Sequence, residues 1–232
     1  MNLLELTQQM CYEVGVAAPT QVASSTDPQI QQIFALLNRF GRDLSRQYVW
    51  QELDKEYLLS TVNGQSAYAL PADWLRQIEG TEWDRTNRWP LNGPISPQEW
   101  QNFKSGIVYA GPRLRFRIQG GQIVLNPTPS SVATLSMEYV SKNWVTALAG
   151  TTKEKFTLDT DNPVFDDSLL VEGLKLRWNK AKGFAYDEKA YTDLLSVCQA
   201  QNKSAPTLSL AQGGGSVLLS TANIPDGNWS GG

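Results

Sequence analysis

The spacing of apolar residues changes from helical to strand-like and back again along this chain. Residues 1–50 and 163–203 carry apolar side chains three and four positions apart, which predicts amphipathic helices. Residues 52–150 alternate between apolar and polar side chains, which predicts short strands. We therefore predict an α+β fold: a helical bundle built from the N- and C-terminal helices, an inserted β-rich lobe, and an extended, flexible C-terminal tail over residues 204–232.

Local signals place several of these elements. Asp27 is a good N-cap, so a long helix is expected to begin there and to end near Trp50. Ser96 and Glu99 form a capping box around a proline, which predicts a short helix over residues 97–104. The stretch RLRFRIQGGQIVLNP places two alternating runs on either side of a Gly-Gly pair, which predicts a β-hairpin.

The chain contains no histidine and only two cysteines among its 232 residues. Ser-His-Asp and Cys-His catalytic sites are therefore excluded, and the commonest zinc ligand is missing. Cys11 and Cys198 lie on the apolar faces of predicted helices, so we expect both to be buried free thiols. The composition predicts a protein that is not an enzyme, with no catalytic residues, no metal and no cofactor.

Charge and hydropathy narrow the choice of partners. The formal net charge of -3 and the pI of about 5.1 argue against a protein that mainly wraps nucleic acid, so any DNA contact should be local. No stretch approaches the roughly 20 consecutive apolar residues of a membrane-spanning helix, and the start of the chain lacks the basic region of a signal peptide. We expect a protein made in the cytoplasm that contacts no membrane.

The β-rich region and the residues that follow it contain five family-like segments: YALPAD (68–73), EWDRTNRWPLNGPISPQEW (82–100), FRIQGGQIVLNPTP (116–129), MEYVSKNWV (137–145) and FTLDTD (156–161). In this order they resemble the head-to-tail adaptor proteins of short-tailed bacteriophages. That group is similar in role to the tail tubular protein A and tail accessory factor families. The resemblance extends over about residues 1–200.

The resemblance implies a structural virion protein of the phage neck, assembled in the host cytoplasm. Its homo-oligomer would be a dodecameric ring that contacts the portal protein on one side and the tail nozzle on the other, and that has tail fibres or tailspikes as further neighbours. Genomic DNA would pass through the central channel during ejection. Two other functions, a phage-associated cell-wall hydrolase and a DNA-binding module, stay open at this point.

Arg113, Arg115 and Arg117 alternate along one predicted strand, in a segment without acidic residues between Glu99 and Glu138. This basic face could line a DNA channel or meet an acidic patch on a neighbouring subunit. It could equally be the solvated outer face of the hairpin, with the intervening apolar residues pointing inward.

Two groups of carboxylates deserve comparison with known site chemistry. Glu79, Glu82 and Asp84 could include the acid and nucleophile of a glycosidase, although acids on a turn-rich stretch are usually solvated. The other group, Asp159, Asp161 and Asp166, resembles a loose cation-binding loop but lacks the glycine and distal glutamate of a calcium site, so Asp161 or Asp166 is better interpreted as a helix cap.

The tryptophans and the apolar residues of the C-terminal tail complete the set of candidates. The eight tryptophans are scattered and are expected to anchor the core or subunit interfaces. Residues 204–232 could be a disordered end, but their spaced apolar side chains favour docking on a partner, with the portal protein as the expected one. The candidate portal-binding residues are Leu208, Leu210, Val217, Leu218, Leu219, Ile224 and Trp229.

Overall fold

The structure is a computed structural model that describes residues 1–105 and 113–202. Within these residues it contains five α-helices and several antiparallel sheets, which confirms the predicted α+β class. The helices are α1 (Leu3–Val14), α2 (Pro28–Gln47), α3 (Pro97–Lys104), α4 (Asp167–Lys182) and α5 (Glu188–Gln201). The strands are β1 (Asp54–Ser60), β2 (Ala67–Ala69), β3 (Trp74–Gln77), β4 (Trp83–Asp84), β5 (Trp89–Pro90), β6 (Arg115–Gln119), β7 (Gln122–Asn126), β8 (Thr134–Ser141), β9 (Val145–Thr146), β10 (Thr152–Lys153) and β11 (Asn162–Pro163).

The chain divides into two compact units, and its path enters and leaves each of them more than once. The described residues of the helical unit are 1–55, 72–78 and 139–202. Those of the β-rich unit are 56–71, 79–105 and 113–138.

Helix α4 is the centre of the helical unit, because α1, α2 and α5 all pack against it. The predicted association of helices from both ends of the chain is therefore confirmed. Two glycines allow close packing here. A Cβ atom on Gly41 of α2 would lie 2.2 Å from the ring of Trp144, and one on Gly173 of α4 would lie 2.0 Å from the ring of Phe40. Backbone and aromatic ring thus meet directly at two points of the core.

The ends of the helices follow the capping signals of the sequence. Asp27 caps α2 by accepting a hydrogen bond from the backbone N–H of Gln29, and the capping box predicted for α3 is present at both of its residues. Helix α2 ends at Gln47 with Tyr48 as its C-cap, close to the end expected near Trp50. The Trp50 indole N–H donates to the carbonyl of Leu44 at 2.8 Å, so the side chain satisfies a helix-terminal carbonyl from outside the helix.

The β-rich unit is built on two sheets. One has the strand order β1-β8-β4-β5, and the other has the order β2-β7-β6. The predicted hairpin around Gly120 and Gly121 is confirmed as the β6–β7 pair, with Arg117 opposite Val124. Phe116, Ile123 and Leu125 are buried on one face of this pair.

Three features of the strands were not anticipated. The turn at Asn63 and Gly64 joins strands of different sheets and so does not close a hairpin, since β1 belongs to the first sheet and β2 to the second. In the helical unit, β3 pairs with the last residues of β8. The helical unit also contains a small sheet of order β10-β9-β11.

Candidate assembly surfaces

The three arginines of the predicted basic face have different environments in the β-rich unit. Arg113 precedes β6 and is buried, with 4% of its surface exposed, so the prediction of a solvated outer face is wrong for this residue. Its guanidinium lies 5.9 Å from the centroid of the Trp89 ring. The strand starts only at Arg115, which explains why alternation alone placed Arg113 on the wrong side.

Arg115 and Arg117 lie on the same face of β6 and are half-buried. The Arg115 guanidinium lies 4.6 Å from the centre of the Phe103 ring, so α3 covers part of this face. Arg117 makes no ion pair or side-chain hydrogen bond within the described part of the chain, and it is the arginine of the triplet best placed to bind a phosphate or a carboxylate of a partner.

The acidic residues considered for glycosidase chemistry are not a solvated pair. Asp84 is completely buried and Glu82 is 6% exposed, whereas Glu79 is exposed, so the expectation of solvated acids is wrong for two of the three. Asp84 accepts hydrogen bonds from the backbone N–H groups of Thr86 and Asn87, which fixes the turn between β4 and β5. A buried carboxylate that holds a turn is a structural group, because substrate does not reach it.

Glu82 differs from Asp84 in its electrostatics. Burial raises the pKa of the Glu82 carboxyl above its ordinary value, hydrogen bonds from backbone N–H groups lower it, and the nearby charge of Glu79 raises it further. One of these bonds comes from the N–H of Gly80 at 3.1 Å. The folded protein therefore holds this side chain in the protonated form more readily than the unfolded chain does.

The second acidic group organises the loop before α4. Asp166 is the N-cap of α4 and accepts from the N–H of Leu169 at 3.0 Å, which confirms the cap expected at Asp161 or Asp166. Asp161 is fully buried and pairs with Lys153 at 2.9 Å while also accepting from the N–H groups of Thr157 and Leu158. Asp159 accepts instead from the N–H groups at residues 22 and 23. The described residues contain no group of acidic or cysteine side chains placed to hold a metal ion.

A polar cluster surrounds Asp73, and no pattern in the sequence indicates it. Its carboxylate accepts from Lys55 at 2.6 Å, Ser141 at 2.8 Å and the Tyr139 hydroxyl at 2.9 Å, and the Tyr139 ring stacks on Trp74. Burial raises the pKa of Asp73, but these donors outweigh it and hold the pKa below its ordinary value. Each partner is distant in sequence, so spacing gave no signal.

A basic stripe on α2 was also missed. Arg39, Arg42 and Arg46 are all exposed, and their spacing of three and four residues places them on one face of the helix. None of the three forms an ion pair or a side-chain hydrogen bond with a described residue. Their helical spacing was readable from the sequence and would have identified the stripe.

Buried aromatic residues and thiols agree with the composition-based expectations. Trp50, Trp100, Trp144 and Trp178 are buried, whereas Trp83 is 42% exposed. Both cysteines are free and buried, as expected. Among the helices of residues 1–105 and 113–202, none combines the length and the apolar character that a membrane crossing requires. The candidate portal-binding residues Leu208, Leu210, Val217, Leu218, Leu219, Ile224 and Trp229 lie outside the described residues.

Comparison with known proteins identifies the family of the chain. A family model described as SU10 adaptor protein matches residues 1–210, which include every described residue of both units. No curated protein matches the chain.

Proposed function

Because the chain belongs to the SU10 adaptor protein family, we propose that it is the ring-forming subunit that joins the portal of a short-tailed bacteriophage to its tail. The family match is the observation that carries this proposal. It supports a structural, non-enzymatic role in the virion neck, in contact with portal and tail proteins.

The finer features of the proposal come from the resemblance of the sequence segments. Copies of the chain form a dodecameric ring between the portal and the tail nozzle, and the ring encloses the channel through which DNA is ejected. Many equivalent contacts, each modest, hold such a ring by avidity, so a single copy in solution can be monomeric. Tail fibres or tailspikes are further candidate neighbours.

Residues 204–232 are proposed to bind the portal. Leu208, Leu210 and Val217 belong to a set of apolar side chains spread over a Gly- and Ser-rich stretch that has no core of its own by composition. Such segments gain order by adding to a strand edge or a groove of a partner.

The face formed by Arg115 and Arg117 is proposed to contact a neighbouring subunit or, in passing, the DNA. Its support is the half-buried position of both side chains on β6 and the unpaired charge of Arg117 within the described residues. The hydrolase alternative gains no support, because Asp84 is buried in a turn and Glu82 is almost completely covered.

Mixing the chain with its portal protein tests the proposal. Particle mass is measured by native mass spectrometry for the full chain and for a version that ends at residue 203. We expect the full chain to add mass to the portal and the shortened chain to add much less. No added mass with either version contradicts the adaptor function, whereas equal added mass with both contradicts only the role of residues 204–232.

A further inference from the structure

The helical unit carries an acidic cavity next to the end of α5. Its volume is about 430 Å³, and its lining includes Glu52, Asp166 and Asp167 together with Trp50 and Cys198. Asp166 caps α4, and Asp167 accepts from the amino group of Met1. Glu52 is exposed and forms no ion pair with a described residue, so its charge is available at the rim.

The pKa of the Cys198 thiol is sensitive to the negative charges around this cavity. Burial raises the pKa of Cys198, and the negative charges of Asp166 and Glu52 raise it further. The cavity lining contains three carboxylates and one cationic group, the Met1 ammonium that pairs with Asp167, so its net charge is negative. Carboxylates that line a concave space attract a cation more strongly than they would on a flat surface.

The basic stripe on α2 lies in the same unit and has the opposite charge to this cavity. Arg39, Arg42 and Arg46 are exposed and unpaired within the described residues, and a guanidinium is the cationic group best suited to carboxylates because it donates two parallel hydrogen bonds. The three arginines and Glu52 therefore carry opposite charges that form no ion pair within the described residues, whereas Asp167 is already paired with the Met1 ammonium.

We propose that the arginine stripe Arg39, Arg42 and Arg46 of one copy docks on the Glu52 side of the acidic cavity of the next copy. This inference rests on the proposed ring function and names one of its contacts. Two different surfaces that complement each other give a head-to-tail contact, and repeated head-to-tail contacts close into a ring when the rotation per subunit allows it.

Duplex DNA is the other polyanion that such a stripe could bind. The net charge of -3 works against it, since the rest of the molecule repels phosphate. Several exposed arginines per copy, each bound to a phosphate, would also hold DNA back in a channel through which it must slide. The acidic cavity on the same chain favours a second copy as the partner.

Charge reversal on the two surfaces tests the contact. The variants are Arg39→Glu with Arg42→Glu on the stripe, and Glu52→Arg at the cavity; all three positions are exposed, so folding is checked simply by melting temperature. Copies retained on the portal are counted by native mass spectrometry at physiological salt. We expect each variant alone to associate on the order of tenfold more weakly, because attraction becomes repulsion.

Mixing the two variants gives the decisive result. In an alternating ring every reversed stripe meets a reversed cavity, so an equal mixture should recover most of the wild-type occupancy. Wild-type occupancy with either variant alone overturns the inference but leaves the adaptor function standing. Failure of the mixture to recover also overturns it, and so does a loss of duplex DNA binding in the stripe variant without any loss of occupancy. A wild-type chain that adds no mass to the portal contradicts both proposals.

Discussion

The ring of Phe40 on α2 lies against the backbone of Gly173 on α4, so that a Cβ atom at position 173 would approach the ring to 2.0 Å. Gly173→Ala should lower the free energy of unfolding by about 1–3 kcal/mol, because the core must open to accept one methyl group. Urea denaturation measures the change. Asn179→Ala on the same helix is the matched control and should change stability by less than about 0.5 kcal/mol.

The double variant Phe40→Leu with Gly173→Ala separates this clash from a general loss of helix packing. A smaller side chain at position 40 leaves room for the added methyl group, so the two changes should be less than additive. Strict additivity would show that Phe40 does not limit position 173.

Asp161 should make the free energy of unfolding depend on pH in the acidic range. Burial raises its pKa, but Lys153 and the donors at Thr157 and Leu158 outweigh that effect and hold the pKa below its ordinary value of about 3.9. The ionised form is thus favoured in the folded state, and its contribution is present above the ordinary value and lost as the pH falls through the lowered one. Asp161→Asn should lower the free energy of unfolding by about 3 kcal/mol at neutral pH. In the variant, the urea concentration at the unfolding midpoint should also vary less with pH below about 4.

Asp193 is the matched control for this prediction. It pairs with Lys189 on the exposed face of α5 at 2.9 Å, where water screens the pair. Asp193→Asn should therefore change stability by less than about 1 kcal/mol at any pH. A similar loss at both positions would contradict the assignment of Asp161 as a buried anchor.

Glu82 should respond to pH in the opposite direction. The pKa of Glu82 is raised, mainly by burial. The protonated side chain therefore stabilises the folded state when the pH falls through the raised value, and this contribution is absent at neutral pH. Glu82→Gln should increase stability at neutral pH by about 1 kcal/mol or less, and the gain should vanish near pH 4. Thermal melts from neutral to acidic pH measure it. If the wild-type chain hydrolysed peptidoglycan and Glu82→Gln abolished that activity, the hydrolase alternative would gain support.

Much of this fold could be predicted because its signals are local. The capping box predicts helix α3 at residues 97–104, and the alternation around two glycines predicts the β6–β7 hairpin. Strand β3 was missed because all of its residues are half-buried, so it has no alternation to detect. Strands of two residues, such as β10 and β11, are too short to have a period at all.

The assembly surfaces were predicted less well because they depend on contacts between distant residues. Arg113 is buried beside Trp89 of strand β5, and Asp84 is buried in the turn that it organises itself. The Asp73 cluster joins residues separated by 18 to 68 positions, which no spacing rule connects. The basic stripe on α2 went unpredicted for a different reason, since helical spacing alone is sufficient to identify it.

The Asp73 cluster gives a prediction about coupling in the helical unit. Lys55→Met and Asp73→Asn each remove one partner of the 2.6 Å ion pair, and the single changes should each cost about 1–3 kcal/mol. The double variant should cost less than the sum, with a coupling free energy of about 0.5–3 kcal/mol. Urea denaturation of all four proteins completes the cycle, and a coupling near zero would show that Ser141 and Tyr139 suffice to hold Asp73.

Arg115 and Arg117 decide between a subunit contact and a DNA-binding module. For an adaptor we expect no salt-sensitive binding of duplex DNA at physiological ionic strength, and Arg117→Ala should leave the fluorescence anisotropy of a labelled duplex unchanged. Arg115→Ala should in addition lower stability by about 1 kcal/mol, because its guanidinium packs on Phe103 at 4.6 Å. A DNA-binding module would show measurable affinity that declines with salt and is weakened at both positions. Since Arg115 packs on Phe103 and Arg117 makes no such contact within the described residues, a loss of DNA binding at Arg117 without a loss of stability would be the clearest evidence against the adaptor function.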